Sequence, residues 1–186
     1  MNCYILDYDV ERFENRGVMA YNNNYNEIDI HCVRRGVFIK EWDDSITFYV
    51  DLSEGIVVND YLDNNLSWLI VSDNFKKVIE DAGIDGIQYL PINIMSKGGN
   101  EKLGNYYVAN IYNLLNAVDM NESEYIQFRS GGYSIVKYAV KADNIKNCDI
   151  FRLKEGIVPI FVSEKMKKLI QYNKLTGFAF TKVKVV

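Results

Sequence analysis

Residues 72–89 read SDNFKKVIEDAGIDGIQY and residues 163–180 read SEKMKKLIQYNKLTGFAF. At an offset of 91 they align Ser on Ser, acid on acid, Lys-Lys on Lys-Lys, Ile on Ile and Gly on Gly. A repeated unit constrains a fold more than any local propensity, because both copies must be satisfied by one architecture. Each copy opens with Ser at the N-cap position and an acid where the helix dipole is positive. Phe75, Val78, Ile79 and Ala82 fall at i, i+3, i+4 and i+7, one apolar face of a helix, and Gly83 suits the helix stop. In the second copy Met166, Leu169 and Ile170 carry the stripe and Asn173 stands where Ala82 does. Apolar runs lead in (Leu69–Val71, Ile160–Val162) and alternating strands lead out (Ile87 and Tyr89, Phe178 and Phe180), the first expected at a sheet edge or strand end because of Pro91. Two such units can arise by duplication or as two solutions to one packing problem. The Lys-Lys pair, the one matched element that folding does not require, reads as the solvated face of each helix.

The rest of the chain reads as strands and turns. CYILDYDV opens it as a strand, and an Asn-rich loop runs into a strand near residues 28–33. GVFIKEW and SITFYVDL are strand candidates separated by the turn residues Asp43-Asp44-Ser45, and EGIVVNDY adds a short one. After the glycine-bearing loop NIMSKGGNEKLGN, YYVANI, YSIVKYAV and CDIFRL read as further strands. The expected fold class is α+β within a single compact protein of residues 1–186: a β-rich sub-lobe, 1–66, then an α/β sub-lobe, 67–186, with the two strand–helix–strand units on a mixed sheet.

Net charge is −4 with no basic stripe, which argues against nucleic acid as partner and is compatible with a basic protein. Three cysteines far apart, Cys3, Cys32 and Cys148, suggest free thiols in a reducing compartment. The acidic start MNCYILDYDV lacks a basic leader region, and no apolar run approaches the ~20 residues that span a bilayer, so a cytoplasmic protein without a membrane partner is expected.

Chemistry-bearing motifs are sparse. His31 is the sole histidine, so any Ser-His-Asp or Cys-His mechanism must use it; its neighbour Cys32 would point to the opposite strand face. One His and scattered Cys do not make a zinc set. Gly99 and Gly104 have phosphate-loop spacing, but Asn105-Tyr106 replaces the required Lys-Ser/Thr. No cofactor and no metal are therefore expected. Two acidic clusters remain: Glu41 with Asp43 and Asp44, and Asp60 with Asp63. They could serve a hydrolase or small ligand, with or without His31. Beside Trp42 and Tyr61 they fit a protein interface better, aromatics anchoring and acids steering. The expected partner-binding residues are Glu41, Trp42, Asp43, Asp44, Asp60, Tyr61 and Asp63.

Over residues 67–183 the order of motifs is moderately specific: Ser72-Asp73, Pro91, Tyr106-Tyr107 with Asn110, Asp119 with Ser123, Ile150-Phe151-Arg152, Phe161-Val162-Ser163-Glu164 and Leu175 to Phe180. In these the chain resembles a family of bacterial polymorphic-toxin immunity proteins, formerly a domain of unknown function. The resemblance implies a cytoplasmic, non-enzymatic antitoxin that binds a cognate toxin and blocks it by occlusion. The matched residues look structural, which points to the variable turns as the binding surface.

Overall fold

The structure is a computed structural model that describes residues 1–10, 17–24, 29–55, 57–98 and 101–186. Those residues form fourteen strands and three α-helices. The first sheet is a closed barrel of β2 (Met19–Tyr21), β3 (Thr47–Val50), β6 (Ile87–Ser96), β7 (Tyr106–Ile111), β5 (Ile70–Ser72) and β4 (Tyr61–Asn64) in that order. The second sheet has six strands in the order β11 (Ala139–Val140), β14 (Phe178–Val185), β1 (Cys3–Tyr8), β13 (Gly156–Ser163), β12 (Ile150–Leu153) and β8 (Leu114–Leu115). A separate ribbon pairs β9 (Glu124–Gln127) with β10 (Tyr133–Lys137). Helix α1 (Asp73–Asp81) joins β5 to β6, helix α3 (Glu164–Tyr172) joins β13 to β14, and α2 (Ala142–Ile145) is a single turn. This is the expected α+β class, with one strand–helix–strand unit on each of the two sheets.

The two sheets are register-for-register equivalents. In the barrel Tyr61 faces Val71, Val71 faces Tyr107 and Pro91 faces Tyr107. In the second sheet Ile150 faces Val162, Val162 faces Tyr4 and Lys182 faces Tyr4. The flanking parallel pairs also match: Met19–Asp63 with Leu114–Arg152, and Thr47–Asn93 with Ala139–Lys184. The repeat visible in the sequence is thus the best-preserved part of a six-strand correspondence. Its last strand is exchanged in chain order: β7 follows its unit, whereas its equivalent β1 comes from the start of the chain. The barrel draws its strands from residues 19–111, and the second sheet from residues 3–8 and 114–185. In the second sheet the edge strands β8 and β11 are not paired to each other; a bridge between Val118 and Val140 stands there instead.

Three apolar clusters follow from this plan. One fills the barrel around Phe48, Leu62, Trp68 and Ile94, and one packs on the second sheet around Phe151, Leu153, Phe161 and Val183. The third lies between the sheets and is built by both helices: Phe75 and Ile79 from α1, Met166 and Ile170 from α3, with Phe75 stacked on Phe178 at 5.2 Å between ring centroids. Val78, Ala82 and Leu169 pack on it while partly exposed, as their positions in the stripe require.

Each helix start is built the same way. The Ser72 hydroxyl accepts from Phe75 N at 3.1 Å and donates to Asp60 at 2.6 Å; the Ser163 hydroxyl accepts from Met166 N at 3.1 Å and donates to Asp149 at 2.6 Å. Tyr107 donates to Asp73 at 3.0 Å, as Tyr4 does to Glu164 at 2.6 Å. The Lys pairs depart from the solvated-face expectation in their first member. Lys76 lies 4.6 Å from the Tyr107 ring centre and Lys167 lies 4.0 Å from that of Tyr4, because the equivalent strands β7 and β1 present an aromatic face under each helix. Such cation–π contacts contribute about 0.5–1 kcal/mol at exposed sites. Lys77 and Lys168 remain exposed.

Four local expectations change. Residues 29–33 form a turn and a 3-10 turn (Cys32–Arg34), not a strand; residue 28 lies outside the described residues. GVFIKEW forms no strand. In EGIVVNDY, residue 56 lies outside the described residues and Val57 makes one parallel bridge with Gly17. Pro91 sits mid-strand in β6. Its carbonyl faces away from β7 and accepts from Trp42, and β3 joins β6 only from Asn93, so no ladder bond is asked of the proline nitrogen. Gly99, of the rejected phosphate-loop spacing, lies outside the described residues.

Candidate partner-binding surface

The segment from Val33 to Asp44 has no regular structure after its 3-10 turn, yet its backbone is held along its length by side chains of the scaffold. Asn110, with no exposure, donates to the Val37 carbonyl at 2.9 Å. Gln88 grips Ile39 twice, accepting from its N–H at 2.9 Å and donating to its carbonyl at 2.7 Å; Asn110 also donates to the Gln88 side chain at 3.0 Å. Arg152 donates to the Val33 carbonyl at 3.4 Å, and Asn93 to the Asp44 carbonyl at 3.1 Å. Gly36 has φ +67°, and a Cβ there would lie 3.0 Å from Leu114, so both backbone and space select glycine. A polar side chain satisfies the loop backbone where a neighbouring strand otherwise would. That is why an apolar run with strand propensity is not a strand here.

The clamped loop presents side chains that the core does not take. Val37 is 51 % exposed and Phe38 is 61 % exposed, the Phe38 ring standing edge-to-face with that of Tyr112 at 5.8 Å. Further along, Glu41, Asp43 and Asp44 are exposed. Trp42 is half-buried, its indole N–H donating to Pro91 at 2.8 Å and its ring 5.9 Å from that of Trp68. The Asp43 carboxylate accepts from the Ser45 hydroxyl at 2.6 Å and its N–H at 2.9 Å, which holds its pKa below the ordinary carboxylate range.

The second acidic cluster is placed differently. Asp60 works inside the fold, accepting from Ser72, from Asn74 at 3.3 Å, and from Thr176 N and Oγ1 at 2.9 and 3.1 Å. It thereby ties the barrel to the turn before β14. Tyr61 and Asp63 line a groove of about 710 Å³ between the sheets together with Asp7, Tyr8 and Asp9. Burial raises the pKa of both Tyr61 and Asp63, and for Tyr61 the nearby Asp63 and Asp7 add to the effect. So Glu41 to Asp44 form one surface, while Asp60, Tyr61 and Asp63 face inward or into the groove. Sequence reasoning missed Val37 and Phe38; their signal was three consecutive apolar residues after a glycine, without the alternation of a half-buried strand.

His31 is exposed in a turn, its N–H donating to the Asp29 carboxylate at 3.1 Å. Among the described residues no group of three His, Cys, Asp or Glu is arranged to hold a metal ion. No helix among them is long and apolar enough to cross a membrane.

The double-sheet scaffold thus carries a loop pinned by buried side chains, on which exposed apolar residues stand beside exposed acids. The family model described as immunity protein family (Imm11) matches residues 3–185, and the chain belongs to that family. Membership implies a part in immunity against a toxin. The match takes in the β-rich first part of the chain as well as residues 67–183. No curated protein matches the chain.

Proposed function

We propose that this chain is an antitoxin that binds its cognate toxin and neutralises it by occlusion, without catalysis, through the clamped loop of residues 33–44. The observation that carries the reading is the combination of exposure and fixation: Phe38 and Val37 stand in solvent on a backbone pinned by Asn110 and Gln88. A preordered loop loses little freedom on binding, so more of the contact energy becomes affinity. Phe38 and Val37 serve as the apolar centre, Trp42 as the buttress under it, and Glu41, Asp43 and Asp44 as the rim that steers a basic toxin face. Asp60, Tyr61 and Asp63 contribute through the scaffold, not as contacts.

The test is co-expression with the toxin encoded next to this gene. Rescue of growth and a co-purifying complex are expected from the wild-type chain, and loss of both from a Val37→Ser, Phe38→Ser double variant that still folds. Failure of the wild-type chain to rescue or to co-purify overturns the function; rescue by the double variant overturns the surface.

A further inference from the structure

Between Val118 and Ala139 the chain leaves the second sheet as the ribbon of β9 and β10, and neither strand has another partner among the described residues. Strands β8 and β11 are the counterparts of β2 and β3, so the ribbon stands where the barrel carries its clamped loop. Its base is fixed. The Ser123 hydroxyl donates to the Asp119 carbonyl at 2.7 Å and accepts from Ala139 N–H at 2.9 Å, and Ile135 packs on the apolar cluster of the second sheet. Beyond that base the apolar side chains stand in solvent: Tyr125, Ile126, Phe128, Tyr133 and Val136 are each 42–59 % exposed. Half-exposed side chains of this size leave on the order of 100 Å² each, so the ribbon shows roughly 500 Å² of apolar surface, near the upper limit for a monomer. With its polar atoms it approaches the area of about 800 Å² that each partner of a stable interface buries. A lone two-stranded ribbon is also marginal in water, a weakness that further strands remove.

Backbone geometry and charge select the occupant. Phe128 N–H donates to the Gly132 carbonyl at 3.1 Å and Ile126 faces Ser134, which sets the alternation of the ladder. Ile126 and Phe128 therefore turn their backbone groups to β10, while Tyr125 and Gln127 turn theirs to solvent. The outer edge of β10 is interrupted by a bulge between Ile135 and Lys137, which blunts it; that of β9 is regular. Residues 122–137 carry two acids and two bases, Glu122 and Glu124 against Arg129 and Lys137, in a chain of net charge −4. Glu124 pairs with Lys137 at 2.8 Å, and Glu122 with Lys184. A two-fold contact lays a patch on its own copy, so a patch without net charge suits it. The clamped loop, with Glu41, Asp43 and Asp44 exposed, would repel its own copy, and the ribbon does not.

We propose that the ribbon is a homodimerisation surface, two copies of β9 pairing antiparallel about a two-fold axis at Ile126 to make one four-stranded sheet. Tyr125 then faces the partner's Gln127 on both sides of the axis, through about four backbone hydrogen bonds. Ile126 meets its own copy, and Glu124 lies beside the partner's Phe128 and Arg129. This surface shares no residue with the clamped loop and does not rest on that reading.

The test is sedimentation equilibrium of the intact chain from micromolar to millimolar concentration, with a monomer–dimer equilibrium expected. Gln127→Pro removes an N–H that points to solvent in the monomer, and should weaken the dimer at least about tenfold with the circular dichroism unchanged. Ile126→Lys sets two like charges together at the axis and should leave the chain monomeric. Facing residues of a non-hydrogen-bonded pair lie ~4.5 Å apart between Cα atoms, within disulfide reach. Ile126→Cys should therefore give a cross-linked dimer on mild oxidation, and Ser130→Cys, at the ribbon tip, should not. A chain that stays monomeric overturns the proposal, and loss of toxin binding by Ile126→Lys in that case assigns the ribbon to the toxin instead. A dimer that Gln127→Pro and Ile126→Lys leave intact, or that Ile126→Cys does not cross-link, also overturns it.

Discussion

The buried amide of Asn110 donates to the carbonyl of Val37 at 2.9 Å, so a residue of the barrel wall fixes a loop whose side chains stand in solvent. The donor belongs to the motif Tyr106-Tyr107-x-x-Asn110, and the acceptor lies in the loop that the scaffold presents. A motif residue and a surface residue are thereby coupled by one bond. Replacing Asn110 by Ala leaves the Val37 carbonyl and the Gln88 side chain each short of a donor. A buried group stripped of its partner costs about 1–3 kcal/mol. We expect chemical denaturation of Asn110→Ala to show a loss in that range. Toxin affinity should fall in the same variant, because the loop would have to be ordered on binding.

Acid reversal separates steering from folding. With Asp43 and Asp44 changed to Lys, the association rate with the toxin should drop and become less dependent on salt, since exposed charges act through a screened field. The urea midpoint should change little, both residues being exposed and the loss confined to the turn bonds between Asp43 and Ser45. Stopped-flow association at two salt concentrations measures this, and an unchanged on-rate moves the interface elsewhere.

Equivalence of the two sheets predicts equal penalties at the two helix starts. Ser72→Ala and Ser163→Ala each remove a cap worth typically about 1 kcal/mol, and each leaves a carboxylate, Asp60 or Asp149, without its 2.6 Å donor. Matched thermal unfolding of the two variants should show losses within about 0.5 kcal/mol of one another, in the scatter usual for independent sites. A cap that proves silent at one site and costly at the other would contradict the equivalence.

Glu164 accepts from Tyr4 at 2.6 Å and from Asn2 at 3.0 Å, which lowers its pKa below the ordinary value. A carboxylate with a depressed folded pKa adds stability above the unfolded pKa and loses it as pH falls through the folded one. Urea midpoints followed from about pH 6 to about pH 3 should therefore decline less steeply for Glu164→Gln than for the wild-type chain. A parallel decline would show that the Tyr4 bond contributes nothing to acid stability.

Thiol chemistry should follow burial. Burial pushes the Cys3 thiol up to about 12, and Cys32 and Cys148, half-buried, are raised mainly by the same cause. In native protein at about pH 8 a thiolate reagent should modify Cys32 and Cys148 slowly and Cys3 only on unfolding. Mass-spectrometric labelling distinguishes the three positions.

The sequence was most informative where one local pattern carried several constraints at once. Ser72 and Ser163 and the apolar stripes behind them are legible because cap and period coincide within a few residues. Asp60, Asp149, Tyr4 and Tyr107 complete the same units but lie on other strands, and no local pattern reveals a partner across a sheet. The same reason hid the candidate surface. Val37 and Phe38 have strand-forming side chains, and only the distant Gln88 and Asn110 hold their backbone out of a ladder. Glu41, Asp43 and Asp44 were legible as exposed because charged turns are solvated. Asp60 was not, since its three partners, Ser72, Asn74 and Thr176, come from two distant segments.

The most direct test of the central claim is the dissociation constant of the toxin complex for the wild-type chain and for Phe38→Ala, with thermal stability recorded for both. An exposed aromatic at the centre of an interface should cost about 2 kcal/mol or more on truncation, roughly a thirtyfold rise in dissociation constant, with unfolding unchanged. An affinity that Phe38→Ala leaves unaltered would contradict the assignment of the clamped loop as the surface that binds the toxin.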